Sequence, residues 1–121
     1  MLIGQTIFIP GSGTPGVNYF GAWMPRHGDA LTAVFEVLRA SATTGWSIVC
    51  KVQTKDSEDS DASASDLGSV TIDAAATWPI NKFTAVLTGA KELVRIKFEC
   101  NGAGTDRWVH MRTNPIIWQP N

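Results

Sequence analysis

The chain contains few residues that would support a disulfide framework, membrane insertion or export. Among 121 residues there are two cysteines, Cys50 and Cys100. A small domain held together by a disulfide framework needs more cysteines than this. Both fall at inward positions of predicted strands. A disulfide between the two cysteines is possible if those strands are neighbours, but we favour two free, buried thiols. No apolar run approaches the ~18 residues of a membrane span. The first residues lack the basic and apolar regions of a signal peptide, so we expect neither a membrane partner nor secretion.

The chain also lacks an excess of charge of either sign. It carries 10 Lys and Arg against 11 Asp and Glu, for a formal net charge of -1 and a sequence pI near 6.0. Without a positive field there is nothing to attract a phosphate backbone, so we expect no nucleic-acid partner.

Recognisable catalytic motifs are missing as well. His27 and His110 are far apart in sequence and have no CxxC nearby, which argues against a zinc site. No G-x-S-x-G sequence marks a nucleophile. The stretch from Gly11 to Gly16 has no P-loop lysine and no helical pattern after it, so we interpret it as a plain loop. We expect a protein that is not an enzyme and that uses no cofactor and no metal.

What the chain does have is apolar alternation. Trp46–Thr54, Glu92–Cys100 and Arg107–Asn114 each place apolar side chains at every second position, which is the period of a strand with one buried face. The last two segments flank a glycine-containing connection, which predicts a hairpin. Ala30–Ala40 fits either a helix or a strand. We favour a strand that forms a second hairpin with Trp46–Thr54.

Further short strands are predicted at Gln5–Ile9, Val17–Met24, Val70–Ile72, Phe83–Thr88 and, as a terminal strand or an apolar tail, Ile116–Trp118. About eight short strands at spacings of roughly 8–14 residues indicate an all-β fold, an antiparallel two-sheet sandwich or jelly roll. The length fits a single domain over residues 1–121. We expect its N-terminal Gly/Pro-rich segment to be flexible.

Residues 55–68 form an acidic, serine-rich segment that we predict to be a mobile surface loop, since it has little apolar surface to bury. Calcium prefers carboxylate ligands, and five are present here: Asp56, Glu58, Asp59, Asp61 and Asp66. Their spacing does not match a calcium-binding loop and no glycine supplies the sharp turn, so we favour a solvated loop.

Five tryptophans are many for this length, and large aromatics are enriched in cores and at interfaces. We expect a protein interface, with self-association, built from these residues: Tyr19, Phe20, Trp23, Trp108, Ile116, Ile117 and Trp118. The alternative is a carbohydrate-binding module in which Trp108, Trp46 or Trp78 forms an exposed stacking row.

Three segments carry a resemblance to a known family: GAWMPRHGDALTAVFEVLRAS, VQTKDSEDSD, and the ending ELVRIKFEC…DRWVHMRTNPIIW. Together they resemble the small head decoration (cement) proteins of tailed bacteriophages and related prophage head proteins. The resemblance implies a β-sandwich made in the host cytoplasm that binds the major capsid protein as a homo-oligomer at the virion surface. It implies no catalysis.

Overall fold

The chain is all-β, as the alternating segments predict. The computed structural model describes residues 6–10, 17–40, 46–73, 79–102 and 108–119. Twelve strands lie in these ranges, together with one 3-10 helix at Asp61–Ser63. The strands are β1 (Thr6–Pro10), β2 (Val17–Phe20), β3 (Met24–Pro25), β4 (Ala30–Thr32), β5 (Val34–Ala40), β6 (Trp46–Lys55), β7 (Ser65–Ile72), β8 (Ile80–Phe83), β9 (Leu87–Thr88), β10 (Leu93–Gly102), β11 (Trp108–Thr113) and β12 (Ile117–Gln119).

These strands form three antiparallel sheets. The four-stranded sheet has the order β1-β11-β5-β8. The five-stranded sheet has the order β2-β10-β6-β7, with β3 also paired to β10. The three-stranded sheet has the order β12-β4-β9. Ala30–Ala40 is therefore β4 and β5, and its interpretation as strand is confirmed.

The three-stranded and four-stranded sheets make one continuous layer. β4 and β5 are one extended run interrupted at Ala33, whose carbonyl accepts a hydrogen bond from Thr84 N (3.0 Å). On the other side, Asn114 N donates to Val34 O (3.1 Å). β11 continues into β12 and β8 into β9 alongside this run. β2 and β3 also form one run, because both pair with β10. Counted in this way, the twelve described strands form eight extended runs. This agrees with the sandwich predicted from the sequence.

The core lies between this layer and the five-stranded sheet. Phe35 of β5 and Phe98 of β10 meet edge to face, with ring centroids 6.1 Å apart and an interplanar angle of 78°. Such contacts between aromatic rings add to the apolar area they bury. Around them lie the other inward residues of the alternating strands: Leu31, Ala33, Val37, Ile48, Cys50, Val52, Ile72, Val94, Ile96, Val109 and Met111.

Both predicted hairpins are wrong. β10 pairs with β2, β3 and β6, whereas β11, the next strand, pairs with β1 and β5 in the opposite layer. Similarly, β5 pairs with β11 and β8, and β6 with β10 and β7. The physical reason is that each strand buries one face. Two consecutive strands can bury their apolar faces in the same core either as a hairpin within one sheet or through a connection that crosses between the layers. The alternation of apolar residues is the same in both cases, so it does not reveal which one forms.

Candidate functional site

The seven residues predicted to form an interface do not lie on one surface. Tyr19, Phe20 and Trp23 belong to the edge of the five-stranded sheet, whereas Trp108 and the residues of the 116–118 segment belong to the other layer. Large solvent exposure is limited to Tyr19 (37%), Phe20 (49%) and Ile117 (54%). The remaining four side chains are half-buried: Trp23, Trp108, Ile116 and Trp118.

A cluster of cations and aromatic rings covers the outer face of the five-stranded sheet. We call it the cation–aromatic cluster, and its members are Phe20, Trp23, Lys55, Asp61 and Arg95. The Arg95 guanidinium carbon lies 4.2 Å from the Phe20 ring centroid and 4.4 Å from that of Trp23. Lys55 Nζ lies 4.9 Å from the Trp23 ring centroid. A cation over an aromatic face is attracted by the ring quadrupole. These contacts hold the Trp23 side chain against Arg95 and Lys55 of the same chain.

Asp61 supplies the negative charge of this cluster. Its carboxylate accepts hydrogen bonds from Lys55 Nζ (2.8 Å) and Trp23 Nε1 (3.0 Å), and Arg95 lies 3.7 Å away. The side chains of Lys55 and Arg95 are each only 9% exposed. The hydrogen bonds from Lys55 and then Trp23 hold the pKa of Asp61 below its ordinary value.

The same network continues along the sheet. Arg95 Nε donates to Gln53 Oε1 (2.9 Å), and Gln53 Nε2 donates to Asp66 Oδ1 (2.9 Å). Lys51 lies 3.4 Å from Asp66 and 2.6 Å from Glu99. The hydrogen bond from Gln53 lowers the pKa of Asp66, and that from Lys51 lowers the pKa of Glu99. Each cation of this row thus has a carboxylate within 4 Å.

These contacts correct the interpretation of residues 55–68. Lys55 ends β6 and is buried, Asp61–Ser63 is a 3-10 helix, and Ser65 begins β7. The segment between them is bound to the sheet by its own polar groups. Lys55 Nζ donates to Asp59 O (2.9 Å), and Ser57 N donates to Glu92 Oε1 (3.2 Å). The Asp61 carboxylate binds Trp23 and Arg95, which are distant in sequence, and composition could not reveal these contacts.

The structure separates the five acidic residues considered as calcium ligands. Asp61 and Asp66 serve different cations, while Asp59 Oδ2 accepts a hydrogen bond from Asp56 N (3.3 Å). In the ranges that the structure describes, no three His, Cys, Asp or Glu side chains come together as a metal site. Nor does any helix of those ranges have the length and apolarity needed to span a membrane.

The 116–118 segment is part of the fold rather than a free tail. Ile117, Trp118 and Gln119 pair with Thr32, Leu31 and Ala30. Trp118 faces inwards with the fully buried Leu31 and packs against the core, as does Ile116. The His27 ring meets the Trp118 ring edge to face at 6.1 Å. An apolar groove of ≈ 320 Å³ lies here, lined by Met24, Pro25, His27, Val94, Pro115, Ile116 and Trp118.

An exposed apolar surface lies on the outer face of the continuous layer, and it combines Ile117, a predicted interface residue, with Phe83, which the sequence analysis did not select. Phe83 is opposite Val34 in the β8–β5 pairing, and Ile117 is opposite Thr32 in the β12–β4 pairing. Thr32 and Val34 both alternate with buried residues of the same run, so they share the outer face. We call Val34, Phe83 and Ile117 the outer apolar patch. Phe83 is 63% exposed and Ile117 54%.

Phe83 was missed because the predicted strand Phe83–Thr88 is in fact β8 and β9, separated by residues 84–86. The available signal was the apolar run around Phe83, which does not by itself reveal which side chain faces solvent. Val86, in the connection, is also exposed.

The cysteines lie on neighbouring strands but are not bridged. Cys50 is opposite Phe98 and Cys100 opposite Ile48 in the β6–β10 pairing. Both are free and buried. Burial raises the pKa of Cys100 to about 12 and also raises that of Cys50.

The stacking row considered for carbohydrate binding cannot be assembled from the described residues. Trp108 is half-buried on β11, as is His110, two residues further along the same strand. Trp78, the Trp46 side chain and the Gly/Pro-rich stretch at 11–16 lie outside the described part of the chain.

Comparison with known proteins assigns the chain to no family. No protein-family model and no curated protein matches the chain.

Proposed function

We propose that this protein is a non-catalytic structural protein that attaches to the capsid shell of a tailed phage as a decoration (cement) protein. Its partners are the major capsid protein and further copies of itself, and it acts at the virion surface. The proposal starts from the resemblance of three segments of the sequence to that family. It is supported by a chain that folds as a β-sandwich and leaves apolar side chains in solvent.

The observation that carries the proposal is the outer apolar patch. Phe83 and Ile117 flank the β4–β5 run on its outer face and leave more than half of their surface in water. Both are anchored on paired strands, so little conformational freedom is lost when they are covered. Interfaces gain most of their energy from large apolar side chains that lose water at their centre. The patch therefore fits attachment to another protein better than it fits a reaction.

Self-association strengthens such attachment without any new kind of contact. Copies held together meet a repeating capsid surface at several points, and each contact raises the effective concentration of the next. A small patch on each copy is then sufficient for stable occupancy.

The test is co-sedimentation with heads of the cognate phage that lack decoration protein. We expect the double variant Phe83→Ala and Ile117→Ala to lose at least tenfold in affinity for the heads, with unchanged unfolding. The matched control is Thr71→Ala, an exposed side chain of β7 in the opposite layer, which should bind as the unmodified protein does.

Two results would contradict the proposal. One is an unmodified protein that stays in the supernatant at every head concentration. The other is equal binding by the double variant and the control, which would remove the outer apolar patch from the interface.

A further inference from the structure

Within the described part of the chain, β2 is an edge strand with one side not paired to another strand. Among the described residues its only strand partner is β10. Gly21 N donates to Ile96 O (2.8 Å), and this pair continues the β2–β10 register. Hydrogen-bonded and non-hydrogen-bonded pairs alternate along an antiparallel ladder. The N–H and C=O groups of Asn18 and Phe20 therefore point away from β10.

The other edges of the two main sheets carry features that discourage pairing. β1 ends in Pro10, which has no N–H to donate. β7 carries Asp66 at a register shift in its pairing with β6, and β8 carries Lys82. Charges, proline and bulges of this kind keep edge strands from pairing with other chains. β2, with the sequence Val-Asn-Tyr-Phe, has none of them.

We propose that β2 pairs antiparallel with β2 of a second copy of this chain, about a two-fold axis at Tyr19. Asn18 then lies opposite Phe20 of the second copy, and each such pair exchanges two backbone hydrogen bonds through the groups that point away from β10. The two Tyr19 side chains face each other across the axis. A strand that pairs with its own copy gives a closed dimer, because the same surface is used by both subunits.

The exposed side chains of β2 agree with this partner. Tyr19 and Phe20 are among the large apolar residues that are exposed in the described ranges, and both lie on this edge. Cross-strand aromatic pairs stabilise antiparallel sheets. Asn18, which lies opposite Glu99 in the β2–β10 pairing, is uncharged and exposed. The dimer joins the two five-stranded sheets into one.

This inference rests on the self-association in the proposed function and names the surface that performs it, but its test needs no capsid. The mass of the unmodified protein is measured by sedimentation equilibrium from micromolar to millimolar concentration, and we expect a dimer. Asn18→Lys puts a charge on the pairing edge and should weaken the dimer at least tenfold. Asn81→Lys puts the same charge on an exposed asparagine of the edge strand β8, and should leave the dimer unchanged.

A second variant and a second readout do not depend on charge. Asn18→Pro removes an N–H that the dimer uses and β10 does not, so it should also weaken the dimer while the fold is kept. In the unmodified protein, hydrogen exchange at Asn18 and Phe20 should slow as concentration rises. Exchange at Asn81, whose N–H points away from β5 by the same alternation, should not.

A monomer at all concentrations would overturn the inference. So would a dimer that Asn18→Lys leaves intact, or one that Asn18→Lys and Asn81→Lys weaken equally. A dimer that fails to bind heads would leave the β2 pairing standing and refute capsid attachment alone.

Discussion

Asp61 places its carboxylate Oδ1 2.8 Å from Nζ of Lys55, and 63% of the Asp61 side chain is exposed against 9% of the Lys55 side chain. A buried ammonium thus depends on a carboxylate that arrives from the surface. Leaving a buried cation without its partner is more costly than never having formed the pair. Asp61→Asn should therefore lower the urea midpoint of unfolding with little change in the slope. Asp73→Asn, an exposed aspartate elsewhere, is the matched control and should have no effect.

Acid should weaken the fold through the same network. The pKa values of Asp61, Asp66 and Glu99 are all lowered by their hydrogen-bond donors. A carboxyl with a folded pKa below its unfolded value contributes stability that is complete above the unfolded value and lost as pH falls through the folded one. We expect urea midpoints to be flat near neutral pH and to fall below about pH 4. In Asp61→Asn the fall should be smaller, and an identical pH profile would contradict the role of Asp61.

Trp118 and Ile117 should respond in opposite ways to truncation, although they are neighbours in sequence. Trp118 packs against the core and Ile117 faces solvent. Trp118→Ala should cost about 2–4 kcal/mol of unfolding free energy, measured in urea. Ile117→Ala should cost less than about 0.5 kcal/mol. Equal costs would mean that the 117–119 segment does not pair as a strand with β4.

Two buried threonines differ in what their hydroxyls do. Thr54 Oγ1 donates to Leu93 O (2.9 Å) and accepts from Lys91 N (2.8 Å). Thr113 Oγ1 has no hydrogen-bond partner among the described residues. Thr54→Val removes both of these hydrogen bonds to the backbone and should cost about 2 kcal/mol in chemical denaturation. Thr113→Val removes an unpaired hydroxyl and should be neutral or stabilising. Reversed signs would contradict these assignments.

Thiol reagents should distinguish the folded from the unfolded protein. Cys50 and Cys100 are buried and free, and burial raises the pKa of both. The thiolate is the reactive form, so iodoacetamide at pH 8 should modify neither cysteine in the native protein. Both should be modified in denaturant, with intact mass as the readout. Rapid labelling under native conditions would show that this part of the core opens.

Alternation in the sequence identified which side chains face the core but not which strands pair. In β6 and β10 the predicted inward residues, such as Ile48 and Val94, are buried. The predicted hairpin pairings were wrong because pairing depends on whether the connection stays in one sheet or crosses to the other layer. A short polar connection is compatible with either. The strands β6, β10 and β11 were predictable because each is apolar at every second residue, whereas the first half of β7 lacks this alternation and was predicted to be loop.

The candidate surfaces were less predictable because they are made by distant residues. Asp61 lies 38 positions from Trp23, its hydrogen-bond partner. The outer apolar patch joins Phe83 and Ile117, which approach only because both run beside β4 and β5. Tyr19 and Phe20, which were predicted as interface residues, are exposed on a short edge strand, and their place in an interface stays a prediction.

The pairing of the first strands with the last has a consequence for biosynthesis. β1 finds its partner in β11, and β2 finds its partner in β10. A ribosome therefore releases both N-terminal strands long before the residues that complete them have been made. Chains dominated by such distant pairings fold slowly, on the order of milliseconds to seconds. During synthesis the edge strand β2 is therefore exposed before β10, its partner in the sheet, has been made.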